Sequence, residues 1–184
     1  MQIYSELLGI KINKIESETP VWHKDVTYYE VKDGESDQVM GHFYLDLHPR
    51  PFKYSHAAVF QLVKRAMIDG KIRSPTVAMV TNFRAPTAKK PSLLGHGEVR
   101  TFFHEFGHIM HNLCSEATIA RFSGASVERD FVEMPSQMLE NWIVDKDILK
   151  RISKHYVTGK PLSDKKISMI IESKKNFNAL STLH

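Results

Sequence analysis

Two histidines four residues apart, with a glutamate directly after the first, form the most informative chemical pattern in this chain of 184 residues. His104 and His108 stand at positions i and i+4 of a predicted helix, so their imidazoles point from one face, one turn apart. Both can therefore bind the same Zn²⁺ ion, whose catalytic sites hold three protein ligands and leave one position for water. The carboxylate of Glu105 can reach that water and act as general base while the water attacks a polarised carbonyl.

A third protein ligand is required, and the residues after His108 offer several. No His-x-x-Gly-x-x-His continuation follows, which excludes the metzincin arrangement. Cys114 lies on the same helix beyond the reach of the ion, and His111 is predicted to lie near the site without binding the ion. The next segment supplies three carboxylates, and spacing alone does not choose among Glu128, Asp130 and Glu133.

The flanking residues distinguish this motif from an ordinary helix whose histidines are exposed or hydrogen-bonded. Apolar side chains predict that much of the helix is buried, namely Val99, Phe102, Phe103, Phe106, Ile109, Met110 and Leu113. Polar groups on a buried helix need partners, and a metal ion supplies one. Gly107 is costly inside a helix, so we expect another segment to approach the backbone closely there.

The elements that must position these residues predict an α+β fold, with strands first and helices after. Residues 1–85 are strand-rich: an extended run at 26–31, a turn, and a second run at 40–47 indicate a β-hairpin with a longer loop. Residues 76–83 are rich in β-branched side chains and form another candidate strand. A loop rich in proline and glycine covers residues 84–97.

Residues 98–184 form the helical, metal-binding part. Helices are predicted at 98–113, 134–144 and about 145–156, and a last one begins near Ser163 and runs to about Leu180.

Composition limits the alternatives. No apolar run approaches the ~20 residues that span a bilayer. The N-terminus lacks the features of a secretory signal, and the single cysteine excludes an internal disulfide and fits a reducing compartment. The net charge of +4 and the basic residues near the C-terminus permit a nucleic-acid-binding domain as a distant alternative. Without a recognisable binding motif, a solvated helical surface is the preferred interpretation.

Longer segments around the motif carry a specific pattern. They are Ser92-Leu93-Leu94, residues 98–101 and 104–111, Phe122-Ser123-Gly124, residues 127–142 and 153–156, with further segments at 7–10, 21–26 and 41–47. Together they closely resemble the thimet oligopeptidase and neurolysin family of zinc oligopeptidases, over nearly the whole chain.

The resemblance implies a zincin-type catalytic segment, mainly helical, with a small N-terminal sheet that contains antiparallel strands. It assigns one zinc ion per chain to His104, His108 and Glu133, and the general base to Glu105. It also implies short peptides as substrates, held in a channel between two helical lobes. The strand at 77–83 matches the segment beside that cleft, where an exposed edge could pair with an extended peptide.

The chain departs from the family in length. It is predicted to be a single partial catalytic domain over residues 1–184, without the N-terminal helical region and the substrate-binding tyrosine loop of the family. The remainder of the peptidase chain is therefore an expected partner, and no nucleic acid or membrane is. A zinc-binding remnant or peptide binder without turnover is the alternative function. The expected location is the cytoplasm, with the mitochondrion as alternative.

Asp130 is a candidate to orient a ligand histidine, as metal sites usually require. The alternative is an N-cap, with Glu133 in the capping-box position. Pro135 bears on both interpretations, because it either kinks this helix or starts a new one.

Overall fold

The computed structural model describes residues 1–16 and 21–181, with side chains described as far as Ser173. Within these ranges the first part of the chain holds seven strands: β1 (Ile10–Ile15), β2 (Thr27–Asp33), β3 (Val39–Asp46), β4 (Ala58–Val63), β5 (Ala66–Ile68), β6 (Lys71–Arg73) and β7 (Thr76–Val80). One helix precedes them and five follow: α1 (Gln2–Leu8), α2 (His96–Leu113), α3 (Arg129–Val132), α4 (Met134–Glu140), α5 (Lys146–Ile152) and α6 (Asp164–Ser181). This arrangement confirms the predicted α+β class.

Five strands form a mixed sheet in the order β1-β2-β3-β7-β4, and β5 pairs with β6 separately. The predicted hairpin is confirmed, because β2 and β3 are adjacent and antiparallel. Tyr28 lies opposite Tyr44 and stacks on it with ring centroids 4.3 Å apart. Such cross-strand aromatic pairs help to fix the register.

The strand predicted at 76–83 is present as the shorter β7, which ends at Val80, and over these five residues the expectation of an exposed edge is wrong. β7 lies between β3 and β4, parallel to the first and antiparallel to the second. Val77 and Met79 are fully buried. The edge strand next to β7 is β4, which comes earlier in the chain. Local β-propensity does not predict this pairing, because β5 and β6 separate the two strands in the sequence.

The hydrophobic core lies between α2 and one face of the sheet. Phe106 is fully buried and meets Phe43 edge to face, with centroids 5.5 Å apart. Burying a large apolar side chain contributes about 1.5–3 kcal/mol, and α2 buries five: Phe103, Phe106, Ile109, Met110 and Leu113. This packing fixes the rotation of α2 about its axis, and therefore the face on which its histidines stand.

Pro135 starts a new helix. α3 ends at Val132, and Pro135 occupies the second position of α4, where its missing N–H costs no helical hydrogen bond. The helix predicted at 134–144 ends at Glu140 and continues as a 3₁₀ helix, Asn141–Val144. The next one, predicted at 145–156, is the shorter α5, whose N-cap Asp145 accepts hydrogen bonds from the backbone of Asp147 and Ile148.

The first residues are helical, although the sequence predicted a strand-rich region there. α1 ends at Gly9, whose φ of +63° is a left-handed conformation suited to glycine. Tyr4 is 2% exposed and donates a hydrogen bond of 3.0 Å to the carbonyl of Phe103. This contact anchors α1 to α2, and it depends on residues 99 positions apart. Of the helices in the described ranges, none is both long and apolar enough to cross a membrane.

Candidate active site

The structure brings together the three residues predicted to bind the metal. Nε2 of His104 and Nε2 of His108 each lie 3.2 Å from Oε2 of Glu133. The three ligand atoms lie within 4.8 Å of one another. The imidazole rings are nearly perpendicular, at 83°, with centroids 4.9 Å apart.

This geometry fits a zinc ion. Zinc–ligand distances of about 2.0–2.1 Å in a tetrahedron correspond to ligand separations of about 3.3–3.4 Å, close to both nitrogen–oxygen distances here. Two imidazoles and a carboxylate are also a known catalytic donor set for zinc. The side chain of Glu133 is 48% exposed, so one side of the cluster opens to solvent, as a catalytic site requires.

Glu133 reaches the histidines because α2 and α4 pack closely together. The predicted close approach at Gly107 is confirmed, and the partner is Ser136 in the first turn of α4. Glu133 directly precedes this helix, and Ser136 Oγ lies 3.1 Å from its Oε2 and 2.9 Å from its carbonyl oxygen. The hydroxyl can donate to either acceptor, which holds the carboxylate near the start of α4.

Glu105 is 7% exposed and adjoins the cluster on α2. Burial raises its pKa, the negative charge of Glu133 raises it further, and the charge of His104 opposes both effects. Burial thus makes this carboxylate a stronger base than it is in water.

His108 favours its neutral form. Burial lowers the pKa of His108, while the charge of Glu133 raises it and the charges of His104 and His111 lower it further. A neutral imidazole has the lone pair that a metal ligand needs.

The carboxylate that contacts the far nitrogen of His104 is Glu140, a residue that the spacing of the motif did not predict. Its Oε1 lies 2.7 Å from Nδ1 of His104, and its Oε2 accepts a hydrogen bond from Nε of Arg100. Burial alone would raise the pKa of Glu140, but the hydrogen bonds from Arg100 and His104 lower it overall. Glu140 follows Glu133 by seven residues, or two helical turns, and that spacing could have indicated it.

Asp130 does not take this position. It lies in the first turn of α3, is exposed, and makes neither a hydrogen bond nor an ion pair through its side chain in the described structure. The N-cap of α3 is Glu128 instead, so the capping alternative for Asp130 is not observed either. The break before Pro135 explains both outcomes, because α3 is a separate four-residue helix.

The other candidates stand apart from the cluster. Among the described residues, only His104, His108 and Glu133 form a group that could hold a metal ion. His111 faces Phe131, with centroids 6.0 Å apart, and Cys114 is the exposed C-cap of α2. The nucleic-acid alternative was based on basic residues near the C-terminus, and two of these form ion pairs of 2.7 Å. They are Lys150 with Asp164 and Arg151 with Glu6.

The fold and the site have the features of zincin-type metallopeptidases. These are the sheet, the helix with the His-Glu-x-x-His motif, and a carboxylate that directly precedes a following helix. The chain belongs to peptidase family M3, whose family model matches residues 1–184.

Curated relatives agree. A thimet-like oligopeptidase of Dictyostelium discoideum is 50% identical over 158 residues, which cover 83% of this chain and 23% of that protein. Saccharolysin of Saccharomyces cerevisiae is 44% identical over 190 residues, covering 100% of this chain and 27% of the relative. Oligopeptidase A of Haemophilus influenzae is 41% identical over 160 residues, which cover 86% of this chain and 23% of that protein. The chain thus spans about a quarter of the length of these relatives.

Proposed function

We propose that this chain is the zinc-binding catalytic portion of a metallo-oligopeptidase that hydrolyses peptide bonds in short peptides. The observation that carries the proposal is the convergence of His104, His108 and Glu133, with Glu105 beside them. Membership of peptidase family M3 supports it. Within this proposal the 184 residues form one partial catalytic domain, in which the strand-rich part supports the helical part.

In the proposed mechanism His104, His108 and Glu133 hold one zinc ion. The ion, when bound, polarises the scissile carbonyl and lowers the pKa of a water molecule. Glu105 removes the proton of the attacking water and later passes that proton to the leaving amine. Glu140 accepts from Nδ1 of His104, which keeps the proton on that nitrogen and the lone pair on Nε2.

The relatives are named oligopeptidases, which supports short peptides as substrates. The five-stranded sheet has two edge strands, β1 and β4, and an extended peptide could pair with β4. β4 is tied to α2, because Gln61 donates a hydrogen bond to Asn112, and Asn112 donates one to the carbonyl of His108. A peptide paired along β4 would therefore lie on an element linked to the helix of the metal cluster.

We also propose a cytoplasmic location, with a mitochondrial one as the alternative. The lone Cys114, which has no cysteine partner in the chain, supports a reducing compartment.

The test is zinc content together with cleavage of an internally quenched fluorescent peptide. We expect one zinc per chain and turnover in the wild type. In Glu105→Gln we expect retained zinc with turnover lower by two orders of magnitude or more, as loss of a general base produces. Equal turnover in the two proteins would exclude Glu105 as the base.

The second candidate is a zinc binder without turnover, since binding of the ion needs only the three clustered side chains of His104, His108 and Glu133. It predicts one bound zinc, lost in His104→Ala, and no peptide cleavage at any pH. The same two measurements therefore separate the candidates.

A further inference from the structure

Three side chains form a continuous hydrogen-bonded series that begins at the surface and ends at the metal cluster. Arg100 contacts Glu140, Glu140 contacts His104, and His104 is one of the three clustered residues. We propose that Arg100 is a positioning residue for metal binding, which acts through the hydrogen bond of its Nε on Glu140. The inference rests on the proposed function, because it concerns the affinity of the proposed zinc site.

The first contact defines what Glu140 does for the site. A carboxylate only accepts hydrogen bonds, so the proton at this 2.7 Å contact belongs to Nδ1 of His104. The lone pair of that ring is then on Nε2, which faces Glu133 at 3.2 Å. Any rotation of the Glu140 carboxyl group would weaken this selection of tautomer and ring orientation.

The second contact opposes that rotation. Each oxygen of Glu140 has one donor on α2, and the two donor residues are four positions apart on one face of the helix. The terminal torsion of a glutamate side chain is soft, with broad minima, so a single hydrogen bond to His104 leaves the carboxyl group free to pivot about it. A donor on the second oxygen fixes the carboxyl plane.

Arg100 itself has little packing role. Its side chain is 63% exposed, whereas that of Glu140 is 11% exposed. A substitution at an exposed helix position should leave the fold intact, and an effect on zinc affinity would therefore report the hydrogen bond and not a loss of the core.

The donor atom permits a matched pair of variants. The atom that contacts Glu140 is Nε, three bonds beyond Cβ. In Arg100→Gln the amide nitrogen occupies that place along the side chain, so the donor remains and the charge is lost. In Arg100→Met a methyl group occupies it, so both are lost. The two variants have the same net charge, and repulsion between arginine and a bound cation therefore cancels from their comparison.

The experiment measures the zinc dissociation constant of the 184-residue chain by competition with a chromophoric chelator, alongside thermal unfolding. We expect Arg100→Met to bind zinc about tenfold more weakly than Arg100→Gln, at the low end of the effect of outer hydrogen-bond partners on metal affinity. We expect similar unfolding midpoints for the two variants. Equal zinc affinity in the two variants would overturn the proposal.

Two further comparisons sharpen the test. In a Glu140→Met background, which removes the acceptor, Arg100→Met and Arg100→Gln should bind zinc equally, and a persisting difference would show that Arg100 does not act through Glu140. Arg151→Met and Arg151→Gln, which break the exposed pair with Glu6, should also be equal. Failure of the wild type to bind zinc would reject the proposed function itself, an outcome distinct from equal affinities in a zinc-binding protein.

Discussion

A Cβ atom at Gly107 would lie 2.7 Å from the Cα of Ser136, so the backbones of α2 and α4 are in direct contact at this point. Glu133 stands three residues before Ser136, and His104 and His108 flank Gly107. The distance between the two helices therefore also sets the distance between the carboxylate and the two imidazoles.

Gly107→Ala should destabilise the protein and weaken its zinc site. The new methyl group meets backbone, which cannot rotate away, and overpacking of this kind costs about 1–3 kcal/mol. The gain in helix propensity, about 1 kcal/mol at most, is smaller. We expect a lower unfolding midpoint and at least tenfold weaker zinc binding. Gly97→Ala is the control, since nothing lies within 4 Å of a Cβ there. It should leave both measurements unchanged or raise the midpoint slightly, and similar losses in the two variants would contradict the steric explanation.

Removal of one ligand should abolish stoichiometric zinc binding. His108→Ala leaves two ligand groups, too few for a tight site, and His111→Ala, on the same helix, leaves all three. Metal analysis after dialysis should give no zinc for the first variant and one equivalent for the second. Retention of zinc in His108→Ala, or its loss in His111→Ala, would show that a different set of residues binds the ion.

Glu140→Gln should weaken zinc binding by about 10- to 100-fold, because a neutral amide holds the Nδ1 proton of His104 less firmly than a carboxylate does. Asp130→Asn should have no effect, since Asp130 makes no side-chain hydrogen bond or ion pair in the described structure. The zinc dissociation constants of both variants, measured by competition with a chromophoric chelator, check these two expectations. A larger effect at Asp130 than at Glu140 would reverse the assignment.

Asp46→Asn should destabilise the protein at neutral pH by about 3–5 kcal/mol, the range for breaking a buried charge pair. Asp46 is 2% exposed and accepts hydrogen bonds from Arg50 and Trp22, and Lys53 lies 2.8 Å from it. Burial would raise the pKa of Asp46, but these contacts outweigh burial and lower it well below the usual value.

The lowered pKa of Asp46 determines how the stability effect of Asp46→Asn depends on pH. A carboxylate with a lowered pKa in the folded state contributes its full stability above its unfolded value of about 3.9, and loses it as the pH falls toward the folded value. The gap between wild type and Asp46→Asn, measured by urea unfolding, should therefore be constant from pH 7 to about 5 and narrow below about 4. Asp37→Asn, which breaks the exposed pair with Lys11, should show a much smaller gap at each of these pH values.

Much of the site follows from local spacing. His104, Glu105 and His108 are predictable because a helix places positions i and i+4 together whatever surrounds it. The buried face of α2 follows from its apolar periodicity, and the close approach at Gly107 follows from the presence of glycine inside a helix. The hairpin of β2 and β3 is likewise local, since two extended runs and a turn are adjacent in the chain.

The remaining features depend on contacts between distant residues. The sequence offered Glu128, Asp130 and Glu133 as ligands without choosing, and its resemblance to a family supplied the choice. In the structure the packing of α4 on α2 brings Glu133 to the histidines, and the same packing brings Glu140, 36 residues from His104, to the other side of that ring. The central place of β7 also required β4 to pair with it.

The sequence by itself determined the family of the chain, the fold class and the face of α2 that carries the two histidines. Helical geometry relates those residues directly. Only the tertiary structure placed Glu140 beside His104, because the angle and distance between two helices arise from packing of side chains far apart in the chain. The spacing of residues along the sequence does not specify the distance between α2 and α4.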